Sequence, residues 1–255
     1  KMKLLNTNQR NAFCFVGISP IRSTPNDSSE QVSQLVFGEV VEVLEIKNYW
    51  VKIKTLKDAY EGFVDYKHLI ALSDKELRQW LDQGEMSGVL HQTLKCPWGN
   101  QIIPCGSFIG NEQIFNIGIY QFEKIVADNS GKKGIELATA LLNTPYLWGG
   151  KSSFGIDCSG FSQLIFRSID LNLPRDAYQQ EELGQDVSFQ DREPMDLAFF
   201  SNEKGKITHV GIIMDGNSII HASGRVRIDT LKQDGIWNEE MGTITHKLTV
   251  IKRLN

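Results

Sequence analysis

The stretch Gly155-Ile156-Asp157-Cys158-Ser159-Gly160-Phe161-Ser162-Gln163-Leu164-Ile165-Phe166-Arg167 decides how the C-terminal half of the chain is read. Phe161, Leu164 and Ile165, with Ile169 beyond them, recur at helical spacing and form one apolar stripe, so a buried helix is expected to start at Cys158. Asp157 stands where an N-cap belongs. A cysteine in the first turn meets free backbone N–H groups and the positive end of the helix dipole. Both favour a thiolate, so a lowered pKa is expected at Cys158. Ser159 and Gly160 crowd the backbone little, leaving the turn open to a carbonyl, and the adjacent N–H groups can serve as an oxyanion hole.

A nucleophilic cysteine needs a base, and the sequence downstream offers two. The stretches 197–200, 209–214, 218–221 and 243–251 read as strands of an antiparallel sheet, with Asp215-Gly216-Asn217 as a hairpin turn. That turn sets residues 210 and 222, or a neighbouring register, opposite each other. His209 and His221 then approach at the strand ends, one to take the thiol proton and one to orient it. A lone cysteine at a helix start, or a lone histidine at a strand end, is more often structural; the joint pattern carries the reading. His68, His91 and His246 have no such partners and read as structural or exposed. Upstream, 134–142 has helical spacing and stops at Thr144-Pro145. Helix followed by antiparallel sheet makes this an α+β domain.

The first half has a different texture. The strands expected at 12–18, 35–37, 40–47, 50–55 and 62–65 are short and separated by turns such as Pro25-Asn26-Asp27, which describes a small all-β barrel. Residues 74–81 form a short helical linker with Ser73 as N-cap. Short alternating runs at 88–90, 101–103, 107–110 and 117–120 then suggest a second small barrel, giving three domains at 1–72, 73–128 and 129–255.

Composition narrows the function classes. The chain has 255 residues, 41% of them hydrophobic and 23% charged, which excludes a disordered tail or a coiled coil. A net charge of −4 gives no overall field for nucleic acid or an anionic membrane, and no apolar run reaches the roughly 20 residues of a membrane span. The polar stretch Lys1-Met2-Lys3-Leu4-Leu5-Asn6 does not read as a signal peptide, although removal of one stays open. Cys14, between Phe13 and Phe15, reads as a buried strand residue. Cys96 and Cys105 flank a hairpin-like segment and could pair in an oxidising compartment. No Cys/His cluster has zinc-ligand spacing, so neither metal nor cofactor is expected.

Four blocks in order, Tyr146-Leu147-Trp148-Gly149-Gly150, 155–161, Thr208-His209-Val210-Gly211-Ile212 and Ile220-His221-Ala222-Ser223, resemble the signature of NlpC-type cell-wall cysteine peptidases. The blocks 20–25, 34–39, 50–53 and Tyr60-Glu61-Gly62-Phe63-Val64 resemble a bacterial SH3-like domain. Together the chain resembles the γ-D-glutamyl-L-diamino acid endopeptidases, also called dipeptidyl-peptidase VI. The resemblance implies a papain-like catalytic domain behind two SH3-like barrels, with Cys158 as nucleophile, His209 as base and His221 as orienting residue. It implies a murein-derived peptide substrate with a free N-terminal L-alanine, whose amine meets Asp157, Ser159 and a tyrosine of the first barrel, for which Tyr60 is the best candidate with Tyr49 and Tyr66 nearby. An anionic carboxylate and a phenol oxygen suit an ammonium group.

In the same family frame Trp148 shapes the wall beside the nucleophile, and Arg175 or Asp176 of Pro174-Arg175-Asp176 contacts substrate; a core tryptophan and a helix capped at Asp176 are the plainer readings. A monomer acting on released peptides in the cytoplasm is expected, with a periplasmic or secreted site if a leader was removed. Two other functions fit the same residues: a wall-binding protein with an inactive papain-like domain, and a papain-like amidase or acyltransferase. The intact set of Cys158, His209 and His221 speaks against the first.

Overall fold

A computed structural model describes residue 5 and residues 9–125 and 131–254. The boundary expected at 128–129 lies outside the described residues, as does nearly all of the polar stretch 1–6. The chain divides into two compact units, Lys1–Lys132 and Lys133–Asn255.

In the N-terminal unit, alternating apolar residues build a seven-stranded antiparallel sheet. Its order is Gln31–Val36, Ile18–Arg22, Glu61–Asp65, Trp50–Thr55, Val40–Lys47, Asn11–Cys14, Leu69–Leu72. The run expected as one strand at 12–18 is two, because the chain turns between Asn11–Cys14 and Ile18–Arg22. The predicted helix is present as Asp74–Gln83, capped as expected: Ser73 Oγ accepts from the Glu76 N–H at 3.3 Å and Glu76 Oε2 from the Ser73 N–H at 2.7 Å.

Beyond it, Gly99–Pro104, His91–Cys96, Tyr120–Lys124 and Ile114–Ile117 form a four-stranded sheet, and Gly84–Met86 pairs with Phe108–Gly110. Two details differ from expectation. Residues 88–90 form no strand, and 117–120 is a hairpin turn rather than a strand, since Ile117 pairs directly with Tyr120. The core does not stop at residue 72: Phe13, Phe37, Ile70 and Trp80 pack in one cluster with Leu94, Phe115 and Phe122. Trp80 ties the helix in by donating Nε1–H to the Gly38 carbonyl at 2.9 Å.

All four cysteines are free thiols. The antiparallel register explains why Cys96 and Cys105 do not pair: Cys96 faces Gly99 at the turn, whereas Cys105 follows Pro104, which faces His91 at the far end of the ladder. At ~3.3 Å per residue this separation is far beyond the reach of a disulfide.

The C-terminal unit places helices Gly134–Ala140 and Cys158–Arg167, then the short helix Ala177–Glu181, ahead of a second antiparallel sheet. The sheet order is Gln185–Val187, Thr243–Arg253, Leu197–Ser201, Ile207–Ile213, Ser218–Ser223, Arg225–Lys232, Gly235–Asn238, and pairing of the last strand with Thr243–Arg253 closes it into a barrel. Ala198, Phe200, Ile213, Ile219, Leu231, Ile236 and Ile251 share one core. Helix is sparse, 14% of the chain. Three strands of this sheet lie where the sequence reading placed none, Gln185–Val187, Arg225–Lys232 and Gly235–Asn238, and the second of them matters for the site. Among the described residues no helix is long and apolar enough to cross a membrane.

Candidate active site

Cys158 is the first residue of its helix, with Asp157 as N-cap. The cap does more than the sequence suggested. Asp157 Oδ1 accepts from the Gly160 N–H at 2.7 Å and Oδ2 from the Gly149 N–H at 2.9 Å, so one carboxylate joins the helix start to the Trp148-Gly149-Gly150 loop. Gly160 makes that approach possible, since a Cβ there would lie 2.2 Å from the Gly150 carbonyl oxygen. Trp148 sits on this tethered loop, 61% exposed, and is therefore not a core residue.

Arg175 corrects the expectation of a substrate contact. It is 1% exposed and donates to Asp157 through Nη1 at 3.0 Å and Nη2 at 2.6 Å, a bidentate buried pair, and through Nη1 to Ser159 Oγ at 2.9 Å. Ser159 Oγ also donates to Asp157 Oδ1 at 3.3 Å. Five donors thus converge on a carboxylate with about four lone-pair sites, so cap and ion pair use most of what Asp157 can offer. Asp176 caps the helix Ala177–Glu181, its N–H donating to Gln179 Oε1 at 3.2 Å. Gln180 supports the same region, donating Nε2–H to the Ser159 carbonyl at 3.0 Å. Tyr60 belongs to the N-terminal unit, where its N–H donates to Thr55 Oγ1 at 2.8 Å.

The histidines meet as the hairpin reading required. Ile212 pairs with Ile220 and Ile213 with Ile219, the same register that would set 210 opposite 222. Alternation then sets His209 and His221 on one face, diagonal to each other across Gly211. A Cβ at 211 would fall 3.0 Å from the His221 Cβ, so glycine leaves room for the rings. His209 Nε2 lies 2.8 Å from His221 Nδ1. Both residues are buried. The helix that begins at Cys158 packs against the strand Ile207–Ile213 that carries His209.

Two residues of the site were missed in the sequence. His246, read as structural or exposed, stacks on His209 with ring centroids 4.2 Å apart and planes 28° apart. Asp229 accepts from His221 Nε2 at 3.0 Å. His246 carried no spacing signal because it comes from a strand remote in sequence, Thr243–Arg253, which reaches the His209 strand through Leu197–Ser201. Asp229 lies on the strand Arg225–Lys232, whose alternation of Arg, Asp and apolar residues did signal a strand.

Electrostatics reverse one expectation. Burial pushes the Cys158 thiol up to about 12, with the Asp157 carboxylate adding to the rise against the Val210 and Ser159 N–H groups. A helix terminus contributes about 0.3–1 kcal/mol, less than one pKa unit, whereas full burial can shift a group by ~3–5 units, so desolvation wins. Burial also pushes His209 well below the ordinary histidine value, helped by His221 and His246. Both shifts favour the uncharged form, thiol at Cys158 and imidazole at His209. Such a pair reacts by transferring the proton as the sulfur attacks. Tyr146 shares the dry environment, its phenol raised to about 12 chiefly by burial.

A cysteine at a capped helix start, joined to an antiparallel barrel that carries two linked imidazoles, defines a papain-like cysteine peptidase. Residues 143–245 match the NlpC/P60 family, and residues 21–69 match the bacterial dipeptidyl-peptidase Sh3 domain. The chain is 34% identical over 248 residues to a γ-D-glutamyl-L-lysine dipeptidyl-peptidase of Bacillus cereus, covering 82% of this chain and 73% of that one. It belongs to the NlpC/P60 family. A protein of the same name from Bacillus subtilis is 43% identical over 90 residues, which span 34% of this chain and 30% of the relative. The crystal structure of an NlpC/P60 family protein from Bacillus cereus superposes with a TM-score of 0.78 at 19% identity, covering 95% of this chain and 99% of that one, a likeness of fold.

Proposed function

We propose that this peptidase hydrolyses the amide bond between the γ-carboxyl of D-glutamate and the following diamino acid in murein-derived peptides. The observation that carries the reading is the capped helix start at Cys158, packed on the strand that carries His209, with His209 Nε2 joined to His221 Nδ1 at 2.8 Å. Two relatives named γ-D-glutamyl-L-lysine dipeptidyl-peptidase support the substrate class.

In this mechanism the Cys158 sulfur attacks the γ-carbonyl carbon as its proton passes to His209. Backbone N–H groups of the first helical turn hold the oxyanion. Collapse breaks the C–N bond, and His209 returns the proton to the departing amine. Water then hydrolyses the thioester, with His209 again accepting a proton, and releases the glutamyl carboxylate and free Cys158. Because Asp157 is already neutralised by Arg175, its help to a substrate ammonium is the residual attraction of a saturated carboxylate, joined by Ser159 Oγ.

The test is product analysis on L-Ala-γ-D-Glu-L-Lys and its diaminopimelate counterpart, each with free and acetylated N-terminus. Release of L-Ala-D-Glu from the free peptides, and much slower cleavage of the acetylated ones, is expected. Cleavage at another bond contradicts the substrate assignment, and equal rates on blocked peptides contradict recognition of the amine.

A further inference from the structure

The two imidazoles do not end the chain of contacts. His221 Nε2 faces Asp229 Oδ2 at 3.0 Å, and both side chains are almost completely buried. Arg227 holds Asp229 from the other side: Nη2 donates to Oδ1 at 2.9 Å, and Nε stands 2.8 Å from Oδ2. Arg227 in turn donates Nη1–H to Glu240 Oε2 at 2.9 Å, and Arg225 donates Nη2–H to Glu240 Oε1 at 2.9 Å. The series therefore runs from the buried imidazoles to an exposed carboxylate.

Proton bookkeeping along this series gives it a direction. A carboxylate clamped by a guanidinium has no proton to give, so the hydrogen in the His221–Asp229 bond belongs to His221 Nε2. In neutral His221 the Nδ1 then carries a lone pair. That lone pair accepts from His209, so the hydrogen of the His209–His221 contact sits on His209 Nε2. Neutral His209 is left with a bare lone pair on Nδ1, the one ring nitrogen not engaged with His221. Reversing the first bond reverses all of them and places a hydrogen on His209 Nδ1, where a base needs none.

We propose that Asp229, clamped by Arg227, is the positioning residue that sets the tautomers of His221 and His209 and so makes His209 Nδ1 the proton acceptor for Cys158. It touches neither substrate nor the reacting sulfur. When His209 takes the thiol proton, its Nε2–H strengthens its bond to His221, and the Asp229 charge stabilises the imidazolium through that ring. Burial alone works to raise the Asp229 carboxyl, but the bonds from His221 and Arg227 outweigh it and hold the group below its ordinary range.

The inference rests on His209 serving as the base in the proposed reaction, and its test is independent of the peptide substrate. Asp229→Asn keeps the size of the side chain and lets its amide donate to His221 Nε2. Nitrogen–proton correlation NMR of the histidine rings should show His221 and His209 protonated at Nε2 in the wild type, and both shifted to the Nδ1 form in Asp229→Asn. Alkylation of Cys158 by iodoacetamide, followed at that peptide by mass spectrometry at pH 7.5, should slow by ~10²-fold or more in the same variant, as expected for loss of the correct tautomer. Asp229→Glu should recover part of the rate, which loss of packing alone does not produce. A wild-type spectrum with His221 protonated at Nδ1 overturns the assignment, as does an Asp229→Asn variant that alkylates within threefold of wild type. If both readouts behave as expected while the murein peptides go uncleaved, the substrate assignment fails and the tautomer assignment stands.

Discussion

Asp157 and Asp229 are each paired with an arginine, one at the start of the Cys158 helix and the other behind His221, and the two pairs are built for different tasks. Asp157 spends its bonds on backbone N–H groups of Gly149 and Gly160 and on Arg175, which is 1% exposed. Asp229 spends its bonds on an imidazole and on Arg227, whose other end reaches the exposed Glu240. The first pair holds a loop and a helix terminus together. The second leaves the backbone alone and fixes where a proton sits.

The contrast breaks most readily in stability. Arg175→Met leaves Asp157 charged and buried without its partner, and should cost about 3–5 kcal/mol in denaturant unfolding. Arg227→Met should cost about 1–3 kcal/mol, the range for charged hydrogen bonds, because Asp229 keeps its bond from His221. Equal losses in the two variants contradict the division of roles.

Acid sharpens the same comparison on the histidine side. Burial, with His221 adding, lowers His246 from 6.5 to about 4, and His209 is lowered as well. A folded-state value below the unfolded one means the unfolded chain binds more protons, so stability falls as pH drops from 6.5 towards 4. For a half-buried group such as His246, partly screened by solvent, this amounts to at most about 3 kcal/mol across that window. Unfolding measured from pH 7 to 4 should show a shallower decline in His246→Gln than in wild type; parallel curves contradict a neutral, half-buried His246. Asp229, lowered below its ordinary 3.8, loses its contribution only at still lower pH.

A smaller effect is expected at Gly211. An alanine there would place its Cβ 2.7 Å from Ile219 Cδ1 and 3.0 Å from His221 Cβ. The cost should be about 1–3 kcal/mol, with slower Cys158 alkylation as the rings separate. Full reactivity in Gly211→Ala contradicts the packing account of the imidazole pair.

What the sequence made legible follows from how local each signal is. The capping box at Ser73 and Glu76, the strands at 40–47 and 50–55, and the helix beginning at Cys158 are each read within a few residues, and each is present. The hairpin register joined His209 to His221 because a short turn fixes it. Arg175 could be misread because its partner lies 18 positions away, and a loop arginine ordinarily faces solvent. His246 depends on the pairing of Thr243–Arg253 with Leu197–Ser201, a long-range event without local spacing, whereas Asp229 sits one hairpin beyond His221, on a strand whose alternation was open to reading. The direction of the Cys158 shift was missed for a related reason: the helix terminus is visible in sequence, while the depth of burial is not.

The most direct test of the account is the fate of L-Ala-γ-D-Glu-L-Lys incubated with the wild-type protein and with Cys158→Ala, followed by mass spectrometry. The wild type should yield L-Ala-D-Glu and free lysine, and Cys158→Ala should yield neither above the buffer control. Cleavage by Cys158→Ala at a rate near that of wild type would contradict the assignment of Cys158 as the nucleophile.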